Sequence, residues 1–454
     1  MDETATLSKY VSDLRFEDLP PDVIALAQTA IRDALGVALY SSQLEWTQIV
    51  AAYASATGGA GKASIIATGE KVAPALAAMA NGTAVHGIEM DDRSAALDLH
   101  NGAATVPAAL AAAEQADATG RDLITGLVAG YEVAHRVARA TQGSIRPRFY
   151  GSAIRNTIGA TSAAAKILGL GADATTRAIG VAGTFAAGSE AAHGYFVKRL
   201  QGGGWPAHNA LTAALLSQRG LTASPTALEE PLGLIHAFST GSAEPNVEEL
   251  TKGLGESFAI RTWETKPYSS WGGAHTSLDA VRILRNQHGI EAADIAAIAV
   301  GVSDKNLENV RMPWPVTVME GQKHLQFLIA AQFLYDLRDP DTWKMDLDDP
   351  AVVALAAKIS GDIDPVIQQN YLSDHDHGGV RMTVTTVGGR EIPVEVRYST
   401  GTEQNPLPDA DLREKFRMLA GKHLSAKKVE SLESYVDGLP DLSSAVDLGP
   451  FLTH

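Results

Sequence analysis

Apolar positions in the first half of the chain recur at helical spacing, beginning after Pro20-Pro21-Asp22 with Val23, Ile24, Leu26, Ala27, Ala30 and Ile31. Alanine-rich segments follow at 72–86, 102–117, 121–141, 157–169 and 206–219, each bounded by Gly, Pro or Asp. Small side chains let helices approach closely, so this half predicts a compact helical bundle. The texture changes after about residue 260. Ile295 to Val302 is a strand-like apolar run, Gln322 to Leu337 reads as a helix, and Val380 to Tyr398 alternates in period two about Gly388-Gly389, as a β-hairpin does. Helical periodicity returns after Pro406 through Leu412, Phe416, Leu419, Val429, Leu432 and Tyr435. The pattern predicts a mainly α protein with a smaller α+β domain at 262–400 and C-terminal helices docked back on the first domain.

Length and charge narrow the partners. The 454 residues make room for two or three domains, and a net charge of −16 with an isoelectric point near 5.2 repels nucleic-acid backbones and anionic membranes. Neither is an expected partner. The chain has no cysteine, which excludes disulfides, thiolate metal sites and cysteine nucleophiles. Its opening Met1-Asp2-Glu3-Thr4 lacks the basic and apolar regions of a signal peptide, and no uninterrupted apolar run approaches ~18 residues, so a cytoplasmic location is expected. Against this acidic background, Lys and Arg gather in a few short segments, as suits an anionic ligand.

Four segments could carry chemistry. In His86-Gly87-Ile88-Glu89-Met90-Asp91-Asp92-Arg93, followed by His100-Asn101, two acids and an Arg stand at a helix end, where they line a cleft or merely form a solvated loop with a capping Asp. His86 and Glu89 have metal-ligand spacing, but no second such pair completes a set, and no metal is expected. Arg146-Pro147-Arg148-Phe149-Tyr150 and Arg155 crowd cations before a helix, a place that favours carboxylates; Arg155 snorkelling to solvent and Tyr150 packing as core is the plainer alternative. In Tyr195-Phe196-Val197-Lys198-Arg199 with Gly202-Gly203-Gly204, neighbouring positive charge would lower the Lys198 pKa and make it a usable base, unless the pair is simply a surface feature beside a turn. Lys266-Pro267-Tyr268 through Trp271 to His275 is a fixed loop bearing three groups able to move protons. Lys323-His324 and Asp374-His375-Asp376-His377 read as polar turns.

Taken in order, these segments resemble the MmgE/PrpD family, which includes 2-methylcitrate dehydratases, cis-aconitate decarboxylases and iminodisuccinate epimerase. Asn81-Gly82, His86 and Asp91-Asp92 look like its Asn-Gly, His and Asp-Asp signature; Val106-Pro107-Ala108 and Gly130-Tyr131-Glu132 resemble further blocks; Lys198-Arg199-Leu200 and Lys266-Pro267-Tyr268 through His275 resemble its Lys-Arg-Leu and Lys-Pro-Tyr-Pro segments. The likeness runs from about residue 5 to 420. It implies an all-helical larger domain containing both termini (1–261 and 401–454), a smaller α+β lid domain (262–400), a homodimer, no cofactor, and an active site between the domains.

The chain departs from the dehydratase and decarboxylase pattern at several places. Glu89 and Arg93 stand where Asp and Thr are common, Tyr150 where a His usually follows the aromatic, Arg155 where a small or apolar residue is usual, and Trp271 where the last loop carries Cys or His. Lys198, Lys266, Asp91, His275 and, after a one-residue shift, His100 are retained. Dehydration needs an acid as well as a base, and two histidines suited to that task are replaced. Abstraction of a proton α to a carboxylate leaves an enediolate that Arg and Lys stabilise. The expected function is therefore a cofactor-independent epimerase of an amino-polycarboxylate such as iminodisuccinate. Lys198 and Tyr150 would exchange protons on opposite faces, with His100 and His275 as further catalytic candidates, and Arg93, Arg155, Arg199, Lys266 and Asp91 would bind the substrate. A hydro-lyase acting on 2-methylcitrate or a related tricarboxylate is the alternative, and a catalytically silent carboxylate-binding protein is the third reading.

Overall fold

The computed structural model describes residues 2–145, 147–241, 243–374, 378–444 and 446–452; Arg146 and the histidine turn at 375–377 lie outside them. Helix takes 59% and strand 9%, which makes the protein mainly α. It divides into a larger unit of Met1–Gly87, Asp91–Trp263 and Asp409–His454 and a smaller one of Ile88–Met90 and Glu264–Pro408. The chain therefore changes unit at 263/264 and 408/409 rather than at 261/262 and 400/401, and joins the smaller unit for three residues at 88–90, which no periodicity signals.

In the larger unit, proline at the first helical position starts Pro21–Ser41 and Pro74–Val85, where the missing N–H costs nothing. Pro21–Ser41 is the one helix among the described residues long and apolar enough to cross a membrane. Its buried Asp33, however, pairs with Lys415 of the Asp409–Gly421 helix at 2.7 Å, as suits a core helix. Gly120–Ala140 is opened by a capping box in which Thr119 and Asp122 satisfy each other's backbone N–H. It packs closely on Gly151–Ile167: a Cβ on Gly130 would lie 2.9 Å from the Gly159 carbonyl oxygen, and one on Gly159 only 2.5 Å from Ala134 Cβ. The Gly151–Ile167 helix starts six residues before the expected 157, directly after the extended Tyr150, so the cationic segment leads straight into its first turns. The unit is not purely helical, because Ala63–Ser64 pairs antiparallel with Lys71–Val72.

The smaller unit is built on a four-stranded sheet in the order Ile359–Ile363, Ile295–Val302, Val380–Thr386, Glu391–Val396, the first pair parallel and the others antiparallel. The last two form the expected hairpin, with Gly389 at φ +79° supplying the left-handed residue of its turn. Alternate residues Ile298, Val300, Val380, Met382, Val384, Ile392 and Val394 join Leu278, Val281, Phe327 and Leu328 in one apolar cluster. Those helical residues belong to His275–His288 and to Leu325–Leu334, which is shorter than the expected 322–337.

Candidate active site

The Pro74–Val85 helix ends on His86, which is fully buried. Its Nδ1 lies 2.8 Å from Asp91 Oδ2, and His100 Nδ1 lies 2.9 Å from the same oxygen. One carboxylate oxygen thus receives two imidazole N–H groups, the two rings meeting edge to face at 4.9 Å. The His100 backbone is held from both sides by the Gly151–Ile167 helix: its N–H donates to Ser152 Oγ at 3.0 Å, and Asn156 Nδ2 donates to its carbonyl at 2.7 Å. Burial drives the His86 pKa down to about 3, with the Lys198 charge adding to the effect and Asp91 opposing it. His86 is therefore neutral at working pH and fixed as the Nδ1–H tautomer by Asp91. These three residues also bring ligand atoms within 4.8 Å of one another, a spacing a metal ion can use, although a metal would have to replace both Nδ1–carboxylate hydrogen bonds.

Asp92 points elsewhere. Its Oδ1 accepts the N–H of Gly102, the first residue of Gly102–Ala116, at 2.7 Å, and its Oδ2 accepts the Tyr131 hydroxyl. Burial pushes its pKa up to about 7, against those two hydrogen bonds. The capping alternative weighed for the Asp-Asp pair thus applies to Asp92.

The glycines after Lys198 explain how its segment reaches His86. Leu200–Gly204 is a single turn of π-helix following Val197–Arg199. A Cβ on Gly203 would sit 2.2 Å from the Gly82 carbonyl oxygen, and one on Gly82 2.6 Å from that of Gly203, so neither position admits a side chain. The same approach leaves Gly202 against both His86 and Tyr150, where a Cβ would meet Nε2 at 2.6 Å and Cε1 at 3.2 Å. Lys198 Nζ stands 6.0 Å from the centroid of the buried Tyr150 ring. Lys198, Tyr150, Asp91 and His100 are thereby grouped through His86 and Gly202.

A residue that the sequence reading passed over belongs to this group. His193 packs edge to face on Tyr150 at 4.8 Å, and its Nδ1 lies 2.6 Å from Glu190 Oε2. The Glu–His pair at i, i+3, five residues before Lys198, was the available signal.

Arg155 directs Nε to Thr141 Oγ1 at 2.9 Å, Nη1 to the Leu97 carbonyl at 2.9 Å and Nη2 to the Thr141 carbonyl at 3.0 Å. Its guanidinium clamps the 95–97 turn to the end of Gly120–Ala140, a contact that the sequence reading did not include. Arg93 and Arg199 are buried in the larger unit. Lys266 and His275 belong to the smaller unit, where Lys266 Nζ pairs with Glu89 Oε2 at 2.9 Å and both residues are buried. Glu89 is held at φ +58°, a strained value for a residue with a side chain. His275 opens its helix, with Nε2 3.2 Å from the Ser270 carbonyl and its ring against Tyr268 at 5.2 Å. Tyr268 in turn donates its hydroxyl to Asp279 at 2.6 Å.

A family model described as the MmgE/PrpD N-terminal domain matches residues 5–246, and one described as the MmgE/PrpD C-terminal domain matches 268–440. Among curated proteins, cis-aconitate decarboxylase of Aspergillus terreus is 28% identical over 99% of this chain and 95% of its own length. The cis-aconitate decarboxylase-like protein oryM of Aspergillus oryzae is 27% identical over 98% of this chain and 96% of its own length, and human cis-aconitate decarboxylase is 25% identical over 97% and 92%.

Proposed function

Since this chain belongs to the MmgE/PrpD family, we propose that it is a lyase of small tricarboxylates that removes carbon dioxide from an unsaturated acid such as cis-aconitate. The relatives are named cis-aconitate decarboxylase or cis-aconitate decarboxylase-like protein, which fits the lyase alternative better than the epimerase expected from the sequence. The observation that carries the reading is the pairing of His86 and His100 on Asp91 Oδ2. The epimerase expectation rested on the histidines replaced at Tyr150 and Trp271 and on the added arginines; the retained His100, held by Asp91, supports a proton donor for the lyase reading without them.

Loss of carbon dioxide breaks a C–C bond and leaves its electron pair on the substrate, where the pair must end in a new C–H bond. One carboxylate is lost and one proton is taken up. His100, holding Nδ1–H on Asp91, is the donor; Asp91 stabilises the imidazolium that carries that proton, and His86 fixes Asp91 from below. Lys198 and Arg199 supply the positive charge that holds the remaining carboxylates and the charge developing on the substrate. The family resemblance adds a homodimer to this proposal, and the steps above call on no cofactor.

The test is to incubate the purified protein with cis-aconitate and follow carbon dioxide, in parallel with hydrogen–deuterium exchange on iminodisuccinate in heavy water. Release of carbon dioxide that His100→Gln abolishes is the expected result. Exchange at the α-carbon of iminodisuccinate, with no turnover of any tricarboxylate, would overturn the lyase reading in favour of the epimerase.

A further inference from the structure

The His193–Glu190 pair has no place in the scheme above, yet the structure fixes it as firmly as the Asp91 pair. Both residues lie on the short 3-10 turn Glu190–Gly194, which is joined to the Tyr150 segment and to the Lys198 segment by separate hydrogen bonds. Tyr150 N–H donates to the Gly188 carbonyl at 3.1 Å, and Glu190 N–H to the Arg148 carbonyl at 3.3 Å. On the other side Ser189 and Gln201 bond reciprocally: Ser189 N–H reaches Gln201 Oε1 at 3.0 Å, and Gln201 Nε2 reaches the Ser189 carbonyl at 3.0 Å. A turn anchored at both flanks holds its side chains in place. Glu190 Oε2 at 2.6 Å makes Nδ1 the protonated nitrogen of His193, so that Nε2 is the atom at which this imidazole exchanges a proton. The ring rests on Tyr150, which also neighbours Lys198 and Gly202. The side chains of His193 and Glu190 each keep 23% of their surface in solvent, which leaves the imidazole a path for proton return.

We propose that His193 is a second proton-transfer residue of this site and that Glu190 is its positioning residue. The proposal rests on the lyase reading. Decarboxylation consumes one proton and needs one donor. Elimination of water from a β-hydroxy tricarboxylate needs two groups: a base takes the proton α to a carboxylate, the C–H electron pair becomes the new double bond, the C–O bond breaks, and an acid gives its proton to the departing hydroxyl so that it leaves as water. With His100 and His193 both oriented by carboxylates, the site holds both groups. The histidine whose place Tyr150 takes after Phe149 has a counterpart in His193, more than forty positions along the chain and packed on the Tyr150 ring.

Two assays on one set of variants separate the roles. Carbon dioxide release from cis-aconitate and formation of a conjugated double bond from 2-methylcitrate or citrate are measured for the parent, His193→Gln, Glu190→Gln, His193→Gly and His100→Gln. His193→Gln should slow elimination by about 100-fold or more in kcat, with KM within about threefold, and leave decarboxylation within about fivefold; His100→Gln should depress both. Glu190→Gln should slow elimination by about 10-fold, and added imidazole should restore elimination to His193→Gly, which a merely structural histidine would not allow. Melting temperatures keep misfolding apart from chemistry. A His193→Gln variant that eliminates water at the parent rate, or a parent that decarboxylates and never eliminates, overturns the assignment while the lyase reading stands. A parent that does neither overturns both.

Discussion

Gly202 stands so close to His86 that a single methyl group on it would lie 2.6 Å from Nε2. The imidazole has no room to retreat, because it is fully buried with Nδ1 on Asp91. Gly202→Ala should therefore push the π-helical turn or the His86 ring aside, lowering stability by about 1–3 kcal/mol and turnover by a larger factor than KM. Urea unfolding and steady-state kinetics check this. A variant with parental kcat would mean that the Lys198 segment tolerates displacement from His86 and that their contact has no part in turnover.

Asp91 is the next member of that chain of contacts. Asp91→Asn removes the charge that stabilises the His100 imidazolium and offers one acceptor where two N–H groups now converge. The expected outcome is a loss of about 100-fold or more in kcat with KM nearly unchanged, since the interaction matters most in the charged transition state. A rise in KM at constant kcat would instead make Asp91 part of substrate binding, the role first expected for it.

Much of this was legible in the chain, and the limits have physical causes. Helical period, proline starts and the Gly388-Gly389 hairpin are local signals, so both architectures and most element positions follow from them. Lys198, Tyr150, Asp91 and His100 were singled out because charge and aromatics cluster within single segments. What escaped depends on contacts between segments. Nothing local to Gly203 reveals that it abuts Gly82, and nothing local to His193 reveals Tyr150 beneath it. The brief passage of Ile88–Met90 into the smaller unit hides inside a segment that otherwise reads as one loop. Arg155 is ambiguous for the opposite reason: a guanidinium beside a helix start is equally suited to a carboxylate and to backbone carbonyls, and its carbonyl contacts at Leu97 and Thr141 lie far along the chain.

Arg155→Lys separates the two roles. A lysine cannot make the three directed hydrogen bonds to Thr141 and Leu97, so stability should fall by about 1–3 kcal/mol while KM for the tricarboxylate stays within about twofold. A large rise in KM without loss of stability would assign Arg155 to substrate binding.

Asp92 sets a pH dependence whose sign can be fixed in advance. Its folded pKa of about 7 lies above the ordinary 3.8, so the folded protein binds this proton more tightly than the unfolded chain does. The resulting stability is complete below the unfolded pKa and is lost as pH rises from about 4 through 7. Buried His86 and His135, both lowered to about 3, act in the other direction, losing stability as pH falls below about 6.5. The difference between the parent and Asp92→Asn isolates the first effect. The parent's urea midpoint should decline relative to that of the variant between pH 4 and 8, by a few kcal/mol in free energy at about 1.4 kcal/mol per pKa unit. Parallel curves would show that Asp92 titrates in its ordinary range.

In the smaller unit, the Lys266–Glu89 pair sets a charge against a charge with almost no water. Glu89 accepts a left-handed backbone to be there, so the pairing is maintained at a local cost. Glu89→Gln alone and Lys266→Met alone should each destabilise by about 3–5 kcal/mol, because each breaks a buried ion pair. The double variant should lose far less than the sum, since two buried charges disappear together. Urea unfolding of all four proteins gives the coupling directly. If the two losses simply add, the pair is not an isolated ionic couple, and Lys266 regains its earlier standing as a cation held for the substrate's carboxylates.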